Sequence, residues 1–189
     1  MADEPNEFAS PACFAHEADA AYMGYARPAL AQKDHEMPSP TETAATRRAQ
    51  AVERLKAETG IDDMMIEKLV RAFYGRVRED ALIGPVFAEK IKDWEPHLHR
   101  MFSFWSSLML MSGSYHGQPM RMHLPLPIEG AHFDRWLALF EATARETCPP
   151  AAADQFIERA RRVAESLELG IAGAQGVILG KGERFAPQR

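Results

Sequence analysis

Large apolar side chains recur every three or four residues from about residue 66 to residue 171 of the chain. This spacing puts them on one face of an α-helix, and no segment alternates with the period of two that a half-buried strand needs. The sequence therefore predicts an all-α fold. The residues that keep this spacing are Ile66, Val70, Phe73, Tyr74 and Val77; His97, Met101, Phe104, Trp105 and Leu108; Phe133, Trp136, Leu137 and Phe140; and Phe156, Ala160, Val163, Ala164, Leu167 and Ile171.

Glycine, proline and capping residues bound the helical blocks. They predict one helix from about 46 to 56 that Gly60 closes, a second that Asp62 or Asp63 caps, a third with Pro96 in its first turn, a fourth over about 131–146 and a fifth over about 151–171. Residues 82–87, with Gly84-Pro85, predict a turn. Repeated glycines and prolines between residues 113 and 130 leave room for one short helical turn around 120–123.

Composition divides the chain into three parts. Residues 1–45 hold five of the 13 prolines and eight acidic residues against Arg27 and Lys33; since the whole chain carries −5, the remainder carries about +1. We predict an acidic, proline-containing extension over 1–45, a helical domain over 46–173 and a C-terminal tail over 174–189, frayed from Gly180 onward.

The extension contains the segment CFAHEADAAYMGYA at residues 13–26, which is more apolar than a solvated linker needs to be. Two alternatives stay open, since the segment can dock on the helical body or on a partner. Cys13 and His16 lie close in sequence, but a metal site would need further ligands that the sequence does not offer. A docking or regulatory role is therefore favoured.

Several classes of protein are excluded by composition and charge. No apolar run approaches the roughly 18 to 20 residues of a membrane span, and Met1–Glu7 is acidic where a secretory signal carries positive charge. We therefore expect a cytoplasmic protein without a membrane partner. Cys13 and Cys148 make no disulfide framework. The near-neutral body lacks the basic field that binding to nucleic acid requires.

Four polar-tipped side chains lie on or next to surfaces that are otherwise built from large apolar residues: Tyr74, His97, His123 and Trp136. Each one alone also fits a structural role, as a core or surface residue. Their joint occurrence favours a site, because haem needs an apolar pocket with few polar donors and one basic ligand. The ten methionines and ten phenylalanines suit such a pocket, although they would serve a plain core equally well.

Four stretches in order carry a family resemblance: LVRAFYGRVREDALIGPVF, DWEPHLHRMFSFWSSLML, YHGQPMRMHLPL and HFDRWLALFEAT. Together they cover roughly Gly60 to Ala172 and resemble the truncated haemoglobins, specifically the group III branch. The resemblance implies a two-over-two helical globin fold and a non-covalently bound haem b.

The resemblance also implies a role for individual residues. His123, in PMRMHLPL, resembles the proximal histidine that binds the haem iron through Nε2. Tyr74 resembles the distal tyrosine, Trp136 the indole donor on the distal side, and His97 the histidine of the distal helix. Two further residues are expected to pack against the macrocycle: Phe73 and Phe87.

These roles imply binding of O₂, NO, CO or peroxide. Hydrogen bonds from Tyr74 and Trp136 in a low-dielectric pocket are expected to stabilise a charged ligand by about 1.5 to 3 kcal/mol each. Slow release of O₂ would favour redox chemistry, such as NO dioxygenation or peroxide reduction, over oxygen delivery. No GxGxxG fingerprint for a flavin or nicotinamide appears, so we expect an external electron donor.

Two other functions stay open at this stage. A carrier or sensor would bind the ligand without turnover, and a haem-free helical interaction module would bind no cofactor. The sequence also leaves open which group accepts the Nδ1 proton of His123, and whether Tyr74 or His97 binds ferric iron directly in the absence of a ligand.

Overall fold

The computed structural model describes residues 43–186, which contain helices and no strand. The helices are α1 (Ala44–Thr59), α2 (Asp63–Glu79), α3 (Gly84–Lys90), α4 (Trp94–Leu110), α5 (Pro119–His123), α6 (Gly130–Thr147) and α7 (Pro150–Ala174). The prediction of an all-α fold is confirmed. The division at residues 45 and 173 stays a prediction, and the apolar segment 13–26 lies outside the described residues.

A glycine, an aspartate and a proline mark helix ends at the positions that the sequence predicts. The left-handed backbone of Gly60, with φ of 70°, closes α1, and its N–H donates to the Lys56 carbonyl. Asp62 is the residue that caps α2, because its Oδ1 accepts a hydrogen bond of 2.8 Å from the Met65 N–H. Pro96 lies in the first turn of α4, where a missing N–H costs nothing.

The prediction of a turn over 82–87 is wrong from Gly84 onward, where α3 begins. Pro85 lies in the first turn of this helix, so the Gly-Pro pair marks its start. Asp80 stabilises the turn that precedes this helix, because its Oδ1 accepts hydrogen bonds of 3.0 Å from the N–H groups of Leu82 and Ile83. A carboxylate that holds the turn so far ahead of the proline is hard to recognise from the sequence.

The helices form two layers of two. α2 packs on α4, α6 packs on α7, and the layers meet chiefly where α2 crosses α6. This is the two-over-two arrangement that the sequence predicts. Aromatic rings fill the space between the layers, since Phe73, Phe140 and Phe156 are almost wholly buried. The short α5 packs on α7. No helix among residues 43–186 is long and apolar enough to cross a membrane.

The segment around Phe185 packs back on the helices. Phe185 is 2% exposed and belongs to a second apolar cluster with Phe133, Ala164, Ile171 and Ala172. The expectation of fraying from Gly180 onward is therefore wrong at Phe185. An isolated aromatic residue in a polar segment has no periodicity that would indicate burial.

Candidate functional site

Tyr74 and His97 meet where α2 crosses α4. The Tyr74 side chain is buried, and its ring lies edge-on to the His97 ring with the centroids 5.0 Å apart. Phe87, on α3, contacts the Tyr74 ring at 5.8 Å. The structure therefore brings together three of the residues that the sequence singled out.

Phe73 connects this group to Trp136. Its ring lies 5.0 Å from that of Tyr74 and 5.3 Å from that of Trp136, both edge-on. Trp136 in turn stacks on Phe140 at 5.3 Å. The Phe73 side chain is only 1% exposed. Because its ring lies between those of Tyr74 and Trp136, it sets the distance between the tyrosine and the indole.

The partly buried His97 imidazole has an unpaired nitrogen. No described group bonds to Nε2, although this atom is shielded from water. Burial is the main cause that lowers the His97 pKa to about 4, and the charges of Arg100 and His123 lower it further. The imidazole is therefore neutral at physiological pH. Leaving such a nitrogen unpaired costs free energy, which indicates that the pocket is shaped for an additional polar partner.

His123 lies at the end of α5, with its ring tied to its own helix. Nδ1 is 2.7 Å from the carbonyl oxygen of Pro119, four residues earlier. A carbonyl only accepts, so Nδ1 of the neutral ring holds the proton and donates. Nε2 is left with its lone pair, which is the form that a metal ligand needs. The acceptor that the sequence left open is therefore the Pro119 carbonyl.

Two groups of hydrogen bonds and ion pairs hold α6 against α2, and the sequence indicated neither group. Asp80 is buried and accepts a hydrogen bond of 2.6 Å from Nε of Arg135, the residue before Trp136. One to two turns away, Arg76 donates to Thr143 at 3.2 Å and pairs with Glu146. These contacts position the two helices that present Tyr74 and Trp136.

Other residues of the site were also not predicted. Trp94 contacts the rings of both Tyr74 and His97, at 6.0 and 5.8 Å. Burial raises the Tyr74 pKa, and the charge of Tyr115 adds to the shift. The Trp94 side chain precedes the apolar stripe of α4, and Tyr115 lies in a loop, so helical periodicity indicates neither residue.

An apolar cavity of about 260 Å³ lies between α4, α5 and α7. Its lining includes Phe104, Pro119, Met120, Val163 and Leu167. This cavity lies beside the helix that carries His123. None of Tyr74, His97, His123 and Trp136 lines this cavity. An imidazole with a free Nε2, and a second imidazole with an unpaired nitrogen beside buried aromatic rings, fit a haem.

Comparison with known proteins agrees with this fit. The family model described as "Bacterial-like globin" matches residues 58–168. A group 3 truncated haemoglobin of Campylobacter jejuni is 33% identical over 119 residues, which is 60% of this chain and 93% of the relative. The two-over-two fold and the matching family model define the class as a globin. The chain belongs to the bacterial-like globin family, within its group III truncated haemoglobin branch.

Two solved structures are similar to this one. The crystal structure of the group III truncated haemoglobin from Campylobacter jejuni matches with a TM-score of 0.54 and 32% identity, over 57% of this chain and 88% of that one. The haemoglobin of the thermophilic phototroph Chloroflexus aurantiacus matches with a TM-score of 0.51 and 23% identity, over 60% and 95%. The second match supports the fold alone. Membership of the family implies haem binding and diatomic gas ligands such as O₂.

Proposed function

We propose that this globin binds haem b without a covalent link, with Nε2 of His123 as the protein ligand to iron, and uses it for NO dioxygenation or peroxide reduction. The observation that carries the proposal is the 2.7 Å hydrogen bond between His123 Nδ1 and the Pro119 carbonyl. This bond selects the tautomer that can bind a metal and holds the plane of the ring. Haem, when bound, supplies an iron at which O₂, NO, CO or peroxide binds and exchanges electrons.

Tyr74 is proposed as the main donor on the distal side. Its pKa is raised by burial, so the hydroxyl keeps its proton throughout the physiological range. A neutral phenol donates a hydrogen bond, and the surrounding rings of Phe73, Phe87 and Trp94 exclude water from it. A hydrogen bond to a charged acceptor in such surroundings contributes about 1.5 to 3 kcal/mol. The raised pKa also favours the phenol over a phenolate that would bind ferric iron.

Trp136 and His97 are proposed to complete the polar side of the pocket. The half-buried indole is fixed by its stack on Phe140 and donates only through Nε1–H. The unpaired His97 Nε2 gives the pocket a second adjustable group, which donates or accepts according to its tautomer. Phe73 and Phe87 are proposed to supply apolar contact to the macrocycle from the same side.

The hydrogen-bond acceptor of His123 Nδ1 bears on whether NO dioxygenation or peroxide reduction is favoured. A backbone carbonyl is a weaker acceptor than a carboxylate, so the imidazole donates less electron density than one bonded to an aspartate. Cleavage of an O–O bond benefits from strong donation, whereas holding O₂ firmly until NO arrives depends on the distal donors. This contrast favours NO dioxygenation over peroxide reduction.

The overall reaction combines NO, O₂ and one electron into nitrate. The electron must come from a separate reductase, which is the partner that we propose. A continuous supply of reducing equivalents is available in the cytoplasm, and we propose that the protein acts there.

Turnover tests this proposal against a carrier or sensor. The oxygenated protein is mixed with successive portions of NO in the presence of a ferredoxin–reductase couple, and nitrate is measured. Several equivalents of nitrate per protein support the enzyme. Stable oxygenation with at most one equivalent supports a carrier or sensor, and absence of a cofactor after purification and reconstitution supports an interaction module.

A further inference from the structure

The loop between α5 and α6, residues 124–129, is held at its downstream end by Arg184 and Phe185. Gly130 closes this loop, and its N–H donates to the Phe185 carbonyl at 2.7 Å. Its own carbonyl accepts a hydrogen bond of 3.1 Å from Arg184. A Cβ at Gly130 would lie 2.9 Å from the Arg184 Cβ and 3.1 Å from the Phe185 oxygen. The close approach therefore requires glycine.

A buried carboxylate on α7 completes this contact. Glu168 is 3% exposed, and its Oε1 accepts a 2.7 Å hydrogen bond from the Phe185 N–H. Its Oε2 pairs with Arg184 at 3.2 Å. We name Glu168, Arg184 and Phe185 the C-terminal clamp. A carboxylate is buried at a cost unless it is paired and hydrogen-bonded, and here both oxygens have partners.

Both ends of the segment that carries His123 are thus fixed to α7. At the upstream end, Met120 of α5 lies against Gly170, where a Cβ would be 2.3 Å from the methionine Cε. At the downstream end, the clamp joins Gly130 to Glu168. Between them, Ile128 packs against the same apolar cluster as Phe185. The segment contains Pro125 and Pro127, whose fixed φ angles limit how far the loop can absorb a shift.

We propose that the C-terminal clamp positions the proximal histidine, with Glu168 and Phe185 as positioning residues. The inference rests on the proposed role of His123 as the iron ligand. When the clamp is released, Gly130 loses the partners of both of its backbone groups, and the end of the α5–α6 loop is held only by the capping contacts between Glu129 and His132. The His123 ring then keeps its bond to Pro119, but the segment that carries it is fixed to α7 at its upstream end alone.

The test uses the haem-loaded full chain and three measurements. These are the rate of haem transfer to excess apomyoglobin, the iron–histidine stretching band in resonance Raman spectra of the ferrous protein, and the thermal unfolding midpoint. The variants are Phe185→Ala, Glu168→Ala and the conservative Glu168→Gln, with Phe185→Leu as a milder form. Ile157→Ala is the matched control, because Ile157 is also buried on α7 but lies in the other apolar cluster.

We expect Phe185→Ala and Glu168→Ala to lose haem about tenfold faster and to shift or broaden the iron–histidine band. Glu168→Gln keeps an acceptor for the Phe185 N–H and should restore most of both properties. Ile157→Ala should lower the unfolding midpoint without moving the band. If Phe185→Ala fails to fold, Phe185→Leu should show the same changes in smaller degree.

The proposal is overturned if the clamp variants lose haem no faster than Ile157→Ala at an equal loss of stability and leave the band unchanged. His123→Ala separates this result from failure of the proposed function. If that variant keeps the iron–histidine band, His123 is not the ligand and both proposals fall. If it abolishes the band while the clamp variants leave it unchanged, only the clamp proposal fails.

Discussion

Nδ1 of His123 lies 2.7 Å from the carbonyl oxygen of Pro119, so the imidazole is held by the backbone of its own short helix. The ring itself has a backbone partner, so a helix of only five residues can fix the plane of the imidazole that we propose as the iron ligand. The same bond fixes the proton on Nδ1 and leaves Nε2 free. The remaining residues of the site come from α2, α3, α4 and α6, whose relative positions depend on contacts far apart in sequence.

Tyr74→Phe should accelerate dissociation of O₂ about 10- to 150-fold, because it removes a hydrogen bond worth about 1.5 to 3 kcal/mol while keeping the buried ring. Stopped-flow measurement on the ferrous protein tests this. Thr59→Val serves as the control, since it removes a buried hydroxyl that bonds to the Leu55 carbonyl at the end of α1, and it should leave the rate nearly unchanged. Equal rates in wild type and Tyr74→Phe would exclude the tyrosine as a donor.

Trp136→Phe should also accelerate dissociation of O₂, since the phenyl ring can keep the stack on Phe140 but has no N–H. If the two donors act separately, the effects of Tyr74→Phe and Trp136→Phe on the activation free energy should add in the double variant. The same stopped-flow measurement gives all three rates. An unchanged rate in Trp136→Phe would show that the indole is a structural residue alone.

The His97 pKa of about 4 predicts a pH dependence in the haem-free protein. The unfolded chain takes up this proton near pH 6.5, before the folded protein does. The free energy of unfolding should therefore fall as pH falls from about 6.5 to about 4. Urea unfolding at several pH values measures how the free energy of unfolding changes with pH. This change corresponds to the number of protons taken up on unfolding, which should be smaller in His97→Leu by at most about one. Identical slopes would show that His97 is not buried as a neutral ring.

Asp80→Asn should lower the free energy of unfolding by about 1 to 3 kcal/mol, because a buried carboxylate that caps two backbone N–H groups and binds Arg135 is lost. The hydrogen bond to the Ile83 N–H is the largest cause that lowers the Asp80 pKa. The stabilisation is therefore present above the pKa of the unfolded aspartate and is lost as pH falls through the folded one.

Asp154→Asn is the matched control for Asp80→Asn. Asp154 pairs with Arg145 at 2.9 Å, but its side chain is 64% exposed. Exposed pairs contribute little, so the urea unfolding curve of this variant should nearly coincide with that of the wild type. If both variants lower the free energy of unfolding equally, the hydrogen bonds from the turn before α3 and the link from Asp80 to α6 contribute no more than an exposed ion pair.

Helical periodicity and caps predicted most of the fold, because each depends on residues close in sequence. The stripe through Ile66, Phe73 and Val77 predicts α2 well, and Gly60 marks the end of α1. The start of α3 was missed because Asp80 acts on N–H groups beyond the end of α2. The position of Phe185 was missed because its cluster forms only once α6 and α7 are in place.

The candidate site was predicted less completely than the fold. Periodicity indicated Tyr74 and Trp136 as inward-facing, but only the family resemblance gave His123 a role, since it lies in a short segment broken by prolines. The Pro119 carbonyl could not be predicted, because every residue has one and only the folded backbone selects it. The unpaired state of His97 Nε2 likewise depends on how α4 packs against its neighbours.

The absorption spectrum most directly tests the central claim that His123 Nε2 binds haem iron. Spectra of the ferric protein, and of the dithionite-reduced protein with CO, are compared with those of His123→Ala and His116→Ala. His116 is an exposed histidine that, like His123, lies between α4 and α6 in the sequence. The account predicts a strong Soret band that shifts with CO, is lost or altered in His123→Ala and is unchanged in His116→Ala. An unchanged band in His123→Ala, or no haem after reconstitution, would contradict it.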